Sequence, residues 1–418
     1  MAKVKPFRGL RANPDLVAKI AAPPYDVLDS DEAREMANGN EFTFLHIGKP
    51  EIDLPPELDV HDEKVYQKAL ENFQTFIKKG WLKQDEKDCY YIYRQQMGDH
   101  VQIGIVAASS VDDYENNIIK KHELTRKDKE DDRTLHVYTT KSQSGPVFLT
   151  YKAEPKIDAL VTDHMNNNKP VYDFKTTDRI EVKHTFWIID EPGTIEKLRS
   201  YFSVIPVLYV ADGHHRSAAA MRTRALMKAE NKAHTGNEEY NFFLSVIFPH
   251  NQMFIMDYNR IVKDLNGLSI ESFMKTIGEK FDLKEISESG KPYHPENVHD
   301  FGLYINKKWF KITAKKGSFD EKDPIKSLDV SILQENLLAP VLGIGDPRTD
   351  KRINFVGGIR GLGELEKNVD SGNYAVAFAM HATTIEQLMA VADAGQIMPP
   401  KSTWFEPKLR DGLCTHLL

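Results

Sequence analysis

The chain has 418 residues, which exceeds the ~250 to 300 residues at which single cores stop growing, so we expect two domains or one domain with a large insertion. Hydrophobic residues make up 41% and charged residues 28%, which is typical of globular proteins and excludes collagen-like, disordered and disulfide-scaffold classes. The net charge of −7 gives no field that would gather nucleic acid or an anionic membrane, so any phosphate site must be local and basic.

The cellular compartment is predicted from two negative features. Cys89 and Cys414 lie far apart without CxxC spacing, which argues against a disulfide framework and a thiolate metal site. Residues 1–10 lack an apolar signal segment, and no run approaches the ~18 apolar residues of a membrane span. We therefore expect a cytoplasmic protein that is neither exported nor inserted in a membrane.

The first part of the chain predicts a rigid loop, one clear helix and several strands. Two prolines in Ala22–Val27 forbid helix and fix an extended turn that presents Tyr25 and Asp26. Apolar residues recur at helical spacing from Asp62 to Lys79, and Gly80 ends this helix. Runs of aromatic and β-branched residues predict strands at Tyr90–Arg94, Val101–Ala107, Val147–Tyr151, His184–Ile189 and Val204–Val210.

Two segments among these strands carry more specific expectations. Lys120–Arg133 has almost no apolar residue, so we expect it on the surface or lining a wet cleft. A helix at Glu191–Tyr201 lies between two predicted strands, an order that suggests a βαβ unit with parallel pairing.

Beyond Val210 the chain turns at Asp212 and Gly213 and enters a helix. We place the boundary between two α/β regions near residue 260, giving ranges 1–259 and 260–418. Further predicted elements are a hairpin of Phe242–Phe248 with Met253–Met256, a hairpin over Leu303–Thr313, a strand at Tyr374–Met380, and a helix at Ile385–Ala394 with a capping box of Thr383 and Glu386.

The turn at Asp212 is the strongest candidate site. A strand that feeds a glycine turn into a helix leaves backbone N–H groups at the helix start that favour an anion. Gly213 permits positive φ or close approach of the backbone, Arg216 offers a charged fork, and His214 and His215 offer donors. Asp212 could bind Mg²⁺ or hold a histidine tautomer.

Other interpretations of this turn stay open. Asp and Gly at a helix start can be purely structural, with His-His-Arg on the surface. The two histidines could instead ligate a transition metal in a hydrolase, but helix neighbours point about 100° apart and no third ligand is evident at motif spacing.

Two further segments offer candidate ligands for an anionic substrate. His122-Glu123 begins like a zincin helix, but Arg126 stands where the second histidine should be, so zinc proteolysis is not supported. A kinase or phosphatase could use Glu123 as general base and Arg133 as a phosphate clamp. Met398–Thr403 places Lys401 after two prolines, where it could close over a polyanion. No GxGxxG, GxxxxGK or GxSxG motif is present.

Several motifs carry a resemblance to known families. The Asp212–Arg216 sequence after a hydrophobic strand resembles the phosphate-binding signature of the ParB/sulfiredoxin-like superfamily, which includes an ADP-dependent free serine kinase. Over the whole chain, the sequence is similar to the prokaryotic family catalogued as domain of unknown function 1015. The segments that carry this second resemblance are Ala22–Val27, His122–Thr125, Asp132–Arg133, Ala211–Arg216, Asp346–Asp350, Phe355–Gly358 and Met398–Thr403.

The resemblance implies a mixed α/β protein with a ParB/sulfiredoxin-like core in which Gly213 to Arg216 cradle nucleotide phosphates. We therefore expect a small-molecule kinase that uses Mg²⁺ with ATP or ADP and phosphorylates a metabolite hydroxyl. Asp212 would organise the metal or a histidine, and Glu123 would accept the hydroxyl proton. A nucleotide-binding switch without turnover, or a phosphatase that uses the same anion site, are the alternatives.

Overall fold

The computed structural model describes residues 1–286 and 291–418, and these form two compact units. The first unit contains Met1–Met253 and Pro407–Leu418, and the second contains Phe254–Glu406. The sequence analysis placed one boundary near residue 260. In the structure, the chain leaves the first unit once and returns to it for its last segment.

The strands of the first unit that precede this excursion are, in chain order, β1 (Val4–Lys5), β2 (Leu10–Ala12), β3 (Leu82–Gln84), β4 (Tyr90–Met97), β5 (His100–Ser110), β6 (Ile119–Lys120), β7 (Ser142–Gln143), β8 (Val147–Tyr151), β9 (Tyr172–Thr176), β10 (Val182–Ile189), β11 (Leu208–Asp212) and β12 (Phe242–Pro249). The second unit contributes β13 (Tyr258–Val262), β14 (Phe281–Glu285), β15 (Asp300–Ile305), β16 (Lys308–Ala314), β17 (Ile353–Gly357) and β18 (Val376–Met380), and β19 (Cys414–Leu417) belongs to the first unit again.

The α-helices of the first unit are α1 (Val17–Ile20), α2 (Ser30–Ala37), α3 (Leu45–Gly48), α4 (Glu63–Lys78), α5 (Val111–Glu115), α6 (Lys127–Thr140), α7 (Pro155–Asn167), α8 (Pro192–Phe202) and α9 (His214–Glu230). Those of the second unit are α10 (Ile270–Ile277), α11 (Asp329–Leu333), α12 (Gly363–Asp370) and α13 (Ile385–Asp393). Both units are therefore mixed α/β.

The main sheet of the first unit has the strand order β6-β11-β8-β12-β5-β4-β10-β9, with β1 paired to β5. Two of its pairs are parallel, β6 with β11 and β8 with β12. A smaller sheet of order β3-β2-β19-β7 ties the returning C-terminal strand to the N-terminal one. The core of the first unit is a large apolar cluster that includes Tyr90, Ile105, Leu149, Phe202 and Phe243.

The second unit is an antiparallel sheet of order β14-β16-β15-β18-β13-β17. Its apolar cluster joins the sheet to α12, through Leu365 of the helix and Tyr304, Trp309 and Ala377 of the strands. The predicted hairpin over Leu303–Thr313 is confirmed by the pairing of β15 with β16.

Several elements lie where local patterns predicted them, and α4 agrees with its predicted bounds to within one residue. The capping box at α13 is displaced by one position, because Thr384 and Gln387 make the reciprocal bonds and Thr383 donates to Ser402 O instead. The charged segment Lys120–Arg133, for which only an exposed position was predicted, contains the start of a helix. It enters α6 at Lys127, and Asp132 of that helix is buried.

Two predicted strand pairings are wrong, since pairing is decided by contacts far apart in sequence. β10 and β11 flank α8 but are not neighbours, and β10 instead pairs antiparallel with β4 and β9. β12 pairs with β5 and β8 and forms no hairpin with residues 253–256. In that segment Ile255 makes a bridge to Phe405 within the second unit.

Within residues 1–286 and 291–418, no helix combines the length and the apolar character needed to cross a membrane.

Candidate functional site

The turn at Gly213 joins β11 to α9 in a conformation that suits glycine. Between Val210 and Asp212 the register of β11 against β8 shifts, and such a bulge re-aims the side chains that follow it. Gly213 has φ of +97°, and a Cβ at this position would lie 3.2 Å from Arg216 Nε and 3.5 Å from Val147 Cα. The predicted need for glycine here is therefore confirmed for both reasons, backbone conformation and space.

The N-terminus of α9 is available to an anion. The helix begins at His214, and its N-cap residue, Gly213, has no side chain that could cap it. The first N–H groups of a helix have no intrahelical acceptor, and the helix dipole favours negative charge there. Gly213 N donates instead to its neighbour Asp212 Oδ1 over 2.8 Å.

Arg216 lies beneath this turn with its guanidinium almost fully buried. Nη1 donates to Pro146 O, and Nη2 lies 3.5 Å from Asp26 Oδ2 and 4.0 Å from Asp212 Oδ2. Nε has no hydrogen-bond partner among the described residues. Burial opposes the charge, but Asp26 and Asp212 outweigh it and raise the pKa of Arg216 above its ordinary value.

The carboxylate of Asp212 is shared by two cations. Lys408, from the returning C-terminal segment, places Nζ 3.0 Å from Asp212 Oδ2. Although burial opposes ionisation, Lys408 and Arg216 hold the pKa of Asp212 well below its usual range. Asp212 is therefore an anion at neutral pH, and no described hydrogen bond links its carboxylate to a histidine ring.

The Tyr25-Asp26 pair reaches the same place on a short 3₁₀ turn. Pro24 is extended at ψ of 150°, as expected, and Tyr25–Val27 then forms a single turn. The guanidinium of Arg133 lies 4.0 Å from the centroid of the Tyr25 ring. Arg133 Nε also donates to Asp132 Oδ2 over 2.8 Å. Arg133 is thus close to the site but held by existing partners, and its predicted contact with phosphate stays a prediction.

Asp411 is a site residue that the sequence analysis did not identify. It is buried, and Oδ1 has no hydrogen-bond partner in residues 1–286 or 291–418. A Cβ on Gly145 would lie 3.4 Å from both Asp411 Oδ1 and Arg216 Cδ, so the carboxyl flanks Arg216. Burial raises the pKa of Asp411 to about 7, even though Arg216 opposes the shift.

Asp411 could not have been found by motif. It is held in place by paired backbone bonds to Ala22, with Asp411 N donating to Ala22 O over 2.9 Å and Ala22 N donating to Asp411 O over 3.2 Å. These residues are separated by nearly the whole chain. The one local signal is Arg410-Asp411-Gly412, which is also an ordinary turn sequence.

The two histidines of the turn face different partners. His215 is half-buried, and its Nε2 accepts a hydrogen bond from Arg126 N over 3.1 Å. His214 is buried, with Nδ1 3.7 Å from Glu123 Oε2 and its ring centroid 4.4 Å from that of His122. Burial, followed by the nearby His122, lowers the pKa of His214 well below its usual value. Glu123, the predicted proton acceptor, therefore lies beside His214.

Lys401 and the other C-terminal motifs belong to the second unit. Lys401 has φ of +59°, and its Nζ lies 5.3 Å from the centroid of the Tyr258 ring. Asp346 and Arg348 form an ion pair of 2.8 Å with exposed side chains. The phosphate-binding role of Lys401 stays a prediction.

Comparisons with known proteins identify a family but no activity. A family model described as protein of unknown function (DUF1015) matches residues 4–331. No curated protein matches the sequence.

Among solved structures, similar chains include a free serine kinase in complex with AMP (14% identity, 72% of this chain and 86% of that chain covered, TM-score 0.34). A conserved hypothetical protein from Pyrococcus furiosus is 16% identical, with 74% of this chain and 93% of that chain covered and a TM-score of 0.33. A C-terminally truncated SbnI from Staphylococcus aureus is 11% identical, with 73% of this chain and 85% of that chain covered and a TM-score of 0.34. These values are too low to assign an activity.

Proposed function

The chain belongs to the family of proteins of unknown function DUF1015, and since membership brings no activity with it, we propose one from the site: nucleotide-dependent phosphoryl transfer to the hydroxyl of a small metabolite. The observation that carries the proposal is the uncapped start of α9 at a left-handed Gly213, with the buried and unsatisfied Nε of Arg216 directly beneath it. Backbone N–H groups, a helix dipole and a guanidinium fork together favour phosphate oxygens.

Cations and carboxylates alternate around this turn, which suits a phosphate that carries a metal ion. Asp26 Oδ2 and Asp212 Oδ2 both face Arg216 Nη2, at 3.5 and 4.0 Å, and carboxylate oxygens are ligands that Mg²⁺ prefers. These two residues would hold Mg²⁺, which when bound neutralises charge on the transferring phosphoryl group. Lys408, which already pairs with Asp212 at 3.0 Å, would neutralise phosphate on the same side.

Two carboxyl groups are candidates for the proton acceptor. Glu123 was predicted from sequence, but it lies beside His214, on an exposed segment. Asp411 is better suited, because it flanks Arg216 and has a pKa of about 7, and a general base is most effective when its pKa lies near the working pH. In this proposal Arg216 and the α9 N-terminus hold the phosphates, and Asp411 takes the proton from the attacking hydroxyl.

The choice of a nucleotide as phosphate donor rests on the resemblance of Asp212–Arg216 to a phosphate-binding signature that a kinase shares. ATP and ADP are therefore the first donors to test, and serine and related hydroxyl compounds are the first acceptors. Because catalysis would depend on positioning and charge stabilisation, loss of one phosphate-binding group should lower the rate by about a hundredfold or more.

The test is ³¹P NMR of the protein with Mg-ATP or Mg-ADP, with and without a mixture of hydroxyl metabolites. Phosphotransfer is supported if nucleotide is consumed only when an acceptor is present and Arg216→Ala abolishes this. Arg224→Ala is the matched control, since Arg224 also lies on α9 but pairs with Asp112 and Glu115 on the surface, and it should retain activity.

Three results would overturn the proposal. Phosphate release without acceptor would indicate a hydrolase. Nucleotide binding without turnover under all acceptors would indicate a switch. If calorimetry detects no binding of ATP, ADP, CTP or GTP with Mg²⁺, the nucleotide is wrong and other anions must be tested at the same turn.

A further inference from the structure

A second cluster of chemical groups lies beside the phosphate turn and is not used by the proposed phosphotransfer. His122, Glu123 and His214 each offer a ligand atom, and among the described residues these atoms lie within 4.8 Å of one another. The sheet explains the convergence. His122 and Glu123 follow β6, His214 follows β11, and β6 and β11 are parallel neighbours, so the segments after both strands leave the same edge of the sheet.

His122 has the features of a preset metal ligand. Its side chain is buried, and its Nδ1 has no hydrogen-bond partner in the described chain. When the ring proton lies on Nε2, Nδ1 keeps its lone pair for an ion. A buried polar atom without a partner is uncommon in folded proteins.

His214 supplies the second imidazole. It is 3% exposed, and its ring lies at 88° to that of His122. Nδ1 faces Glu123 Oε2 at 3.7 Å, while Nε2 accepts the backbone N–H of His122 at 3.5 Å, a long contact. Metal binding at Nδ1 would place the ring proton on Nε2. The ring then stays neutral overall and gives up only this long contact.

We propose that His122, Glu123 and His214 form a binding site for a divalent transition metal ion, with zinc as the representative ion. Two imidazoles and one carboxylate are a ligand set typical of zinc and related ions and unlike the all-oxygen sets of Mg²⁺. Three protein ligands leave a fourth position for water or a substrate atom. Glu123 is exposed on one side, which gives the ion a route of entry.

This arrangement also accounts for the failed zincin pattern. The position four residues after His122 is Arg126, but the fold supplies the missing imidazole from His214 across the sheet edge. The proposal does not depend on nucleotide binding, because its ligands are His122, Glu123 and His214 and not Asp26 or Asp212.

The test uses the full chain, stripped of metal with a chelator and titrated with Zn²⁺ alone by calorimetry and with Co²⁺ alone by visible absorption. We expect one equivalent of Zn²⁺ to bind, and Co²⁺ to give absorption bands typical of an ion with nitrogen and oxygen ligands. Excess Mg²⁺ should displace neither ion. His122→Ala and Glu123→Gln should each weaken Zn²⁺ binding by at least about tenfold.

His136→Ala is the matched control. His136 is also a buried neutral histidine, and its Nε2 is hydrogen-bonded to Ile47 O at 2.8 Å, so its loss disturbs the core similarly but should leave Zn²⁺ affinity unchanged. Glu123→Gln changes an exposed side chain and keeps the test decisive if His122→Ala does not fold. Absence of stoichiometric Zn²⁺ binding in the wild type would overturn the proposal, as would equal affinity in the wild type, Glu123→Gln and folded His122→Ala.

Discussion

The two units treat their ionisable groups in opposite ways. In the first unit, burial lowers the pKa of His122 and His136 to about 4, and it raises that of Asp411 to about 7. In the second, Asp257 raises the pKa of His294, whose side chain is 57% exposed. Burial thus favours the neutral form of these three groups in the first unit, whereas a surface ion pair favours the charged form of His294 in the second. Groups whose pKa is shifted by burial are typical of sites tuned for chemistry, and the contrast agrees with the placing of the proposed site in the first unit.

The largest expected effect comes from removing the left-handed glycine of the phosphate turn. In Gly213→Ala, the new methyl group would lie 3.2 Å from Arg216 Nε. The backbone at this position has a left-handed conformation that alanine avoids. We expect anion binding to fall by about a hundredfold or more, measured by calorimetry with Mg-nucleotide or inorganic phosphate.

The control for this change is Gly395→Ala in the second unit. Gly395 has φ of +65° and open space around it, so alanine there should cost about 1 kcal/mol of stability and leave binding intact. If Gly213→Ala binds as well as Gly395→Ala, the turn is structural only.

The second prediction concerns acid. A histidine whose pKa is lowered on folding stabilises the protein above pH 6.5, and this contribution is lost as pH falls toward the folded value. For His122 and His136 the loss by pH 5 is up to about 2 kcal/mol each, since roughly 1.5 pH units are crossed at 1.36 kcal/mol per unit. These histidines should therefore make the first unit less stable at pH 5 than at pH 7.

The tryptophans allow the two units to be observed separately. Trp81 and Trp187 lie in the first unit, and Trp309 and Trp404 in the second. Urea unfolding of variants that retain one pair, with phenylalanine in place of the other, should show the first pair losing stability between pH 7 and pH 5. The comparison is contradicted if the urea transition of the first unit is the same at pH 7 and pH 5, or if the second unit loses more stability than the first over this range.

A smaller effect is expected from Asp411→Asn. Because the pKa of Asp411 is raised on folding, its contribution is most favourable at low pH and is lost as pH rises through about 7. Asparagine avoids the buried charge, so stability at pH 8 should rise by about 1 to 2 kcal/mol, less than the full shift because the nearby arginines offset part of it. The gain should vanish near pH 4.

Asp282→Asn in the second unit is the corresponding control, since that carboxylate is exposed and its replacement should have no measurable effect. The same Asp411→Asn variant should lose phosphotransfer. A variant that is less stable at pH 8 and equally active would show that Asp411 is an ordinary ion-pair partner.

The smallest effect concerns the surface histidine of the second unit. His294 Nε2 lies 3.7 Å from Asp257 Oδ1, and a raised histidine pKa stabilises below pH 6.5 and ceases to do so above the folded value. His294→Gln should reduce the stability of the second unit by about 0.5 kcal/mol at pH 5, because exposed pairs are screened by solvent. The variant and the wild type should be equally stable at pH 8. If His294→Gln loses more stability at pH 8 than at pH 5, Asp257 does not stabilise the charged form of His294.

What the sequence could predict follows from the range of the forces involved. Helix α4 was predicted because its apolar periodicity is local, and the turn at Gly213 because backbone preference is local too. Helix α6 was missed, since its first half is charged and its burial rests on distant partners, such as the hydrogen bond from Tyr66 to Asp132. Lys408 and Asp411 were missed for the same reason, and so was the closeness of His122 to the turn. His122, Lys408 and Asp411 reach it through strand pairing and chain return, which no local pattern records.

The return of residues 407–418 to the first unit has a consequence for biosynthesis. Lys408 and Asp411 leave the ribosome after all of the second unit, yet they complete the environment of Arg216 and Asp212, which are made much earlier. A nascent chain therefore cannot assemble this site while synthesis proceeds, because domains that fold during translation do so in order of emergence. Closing the long excursion costs little extra chain entropy, since that cost grows only with the logarithm of loop length. The last residues thus make completion of the site conditional on a fully synthesised second unit.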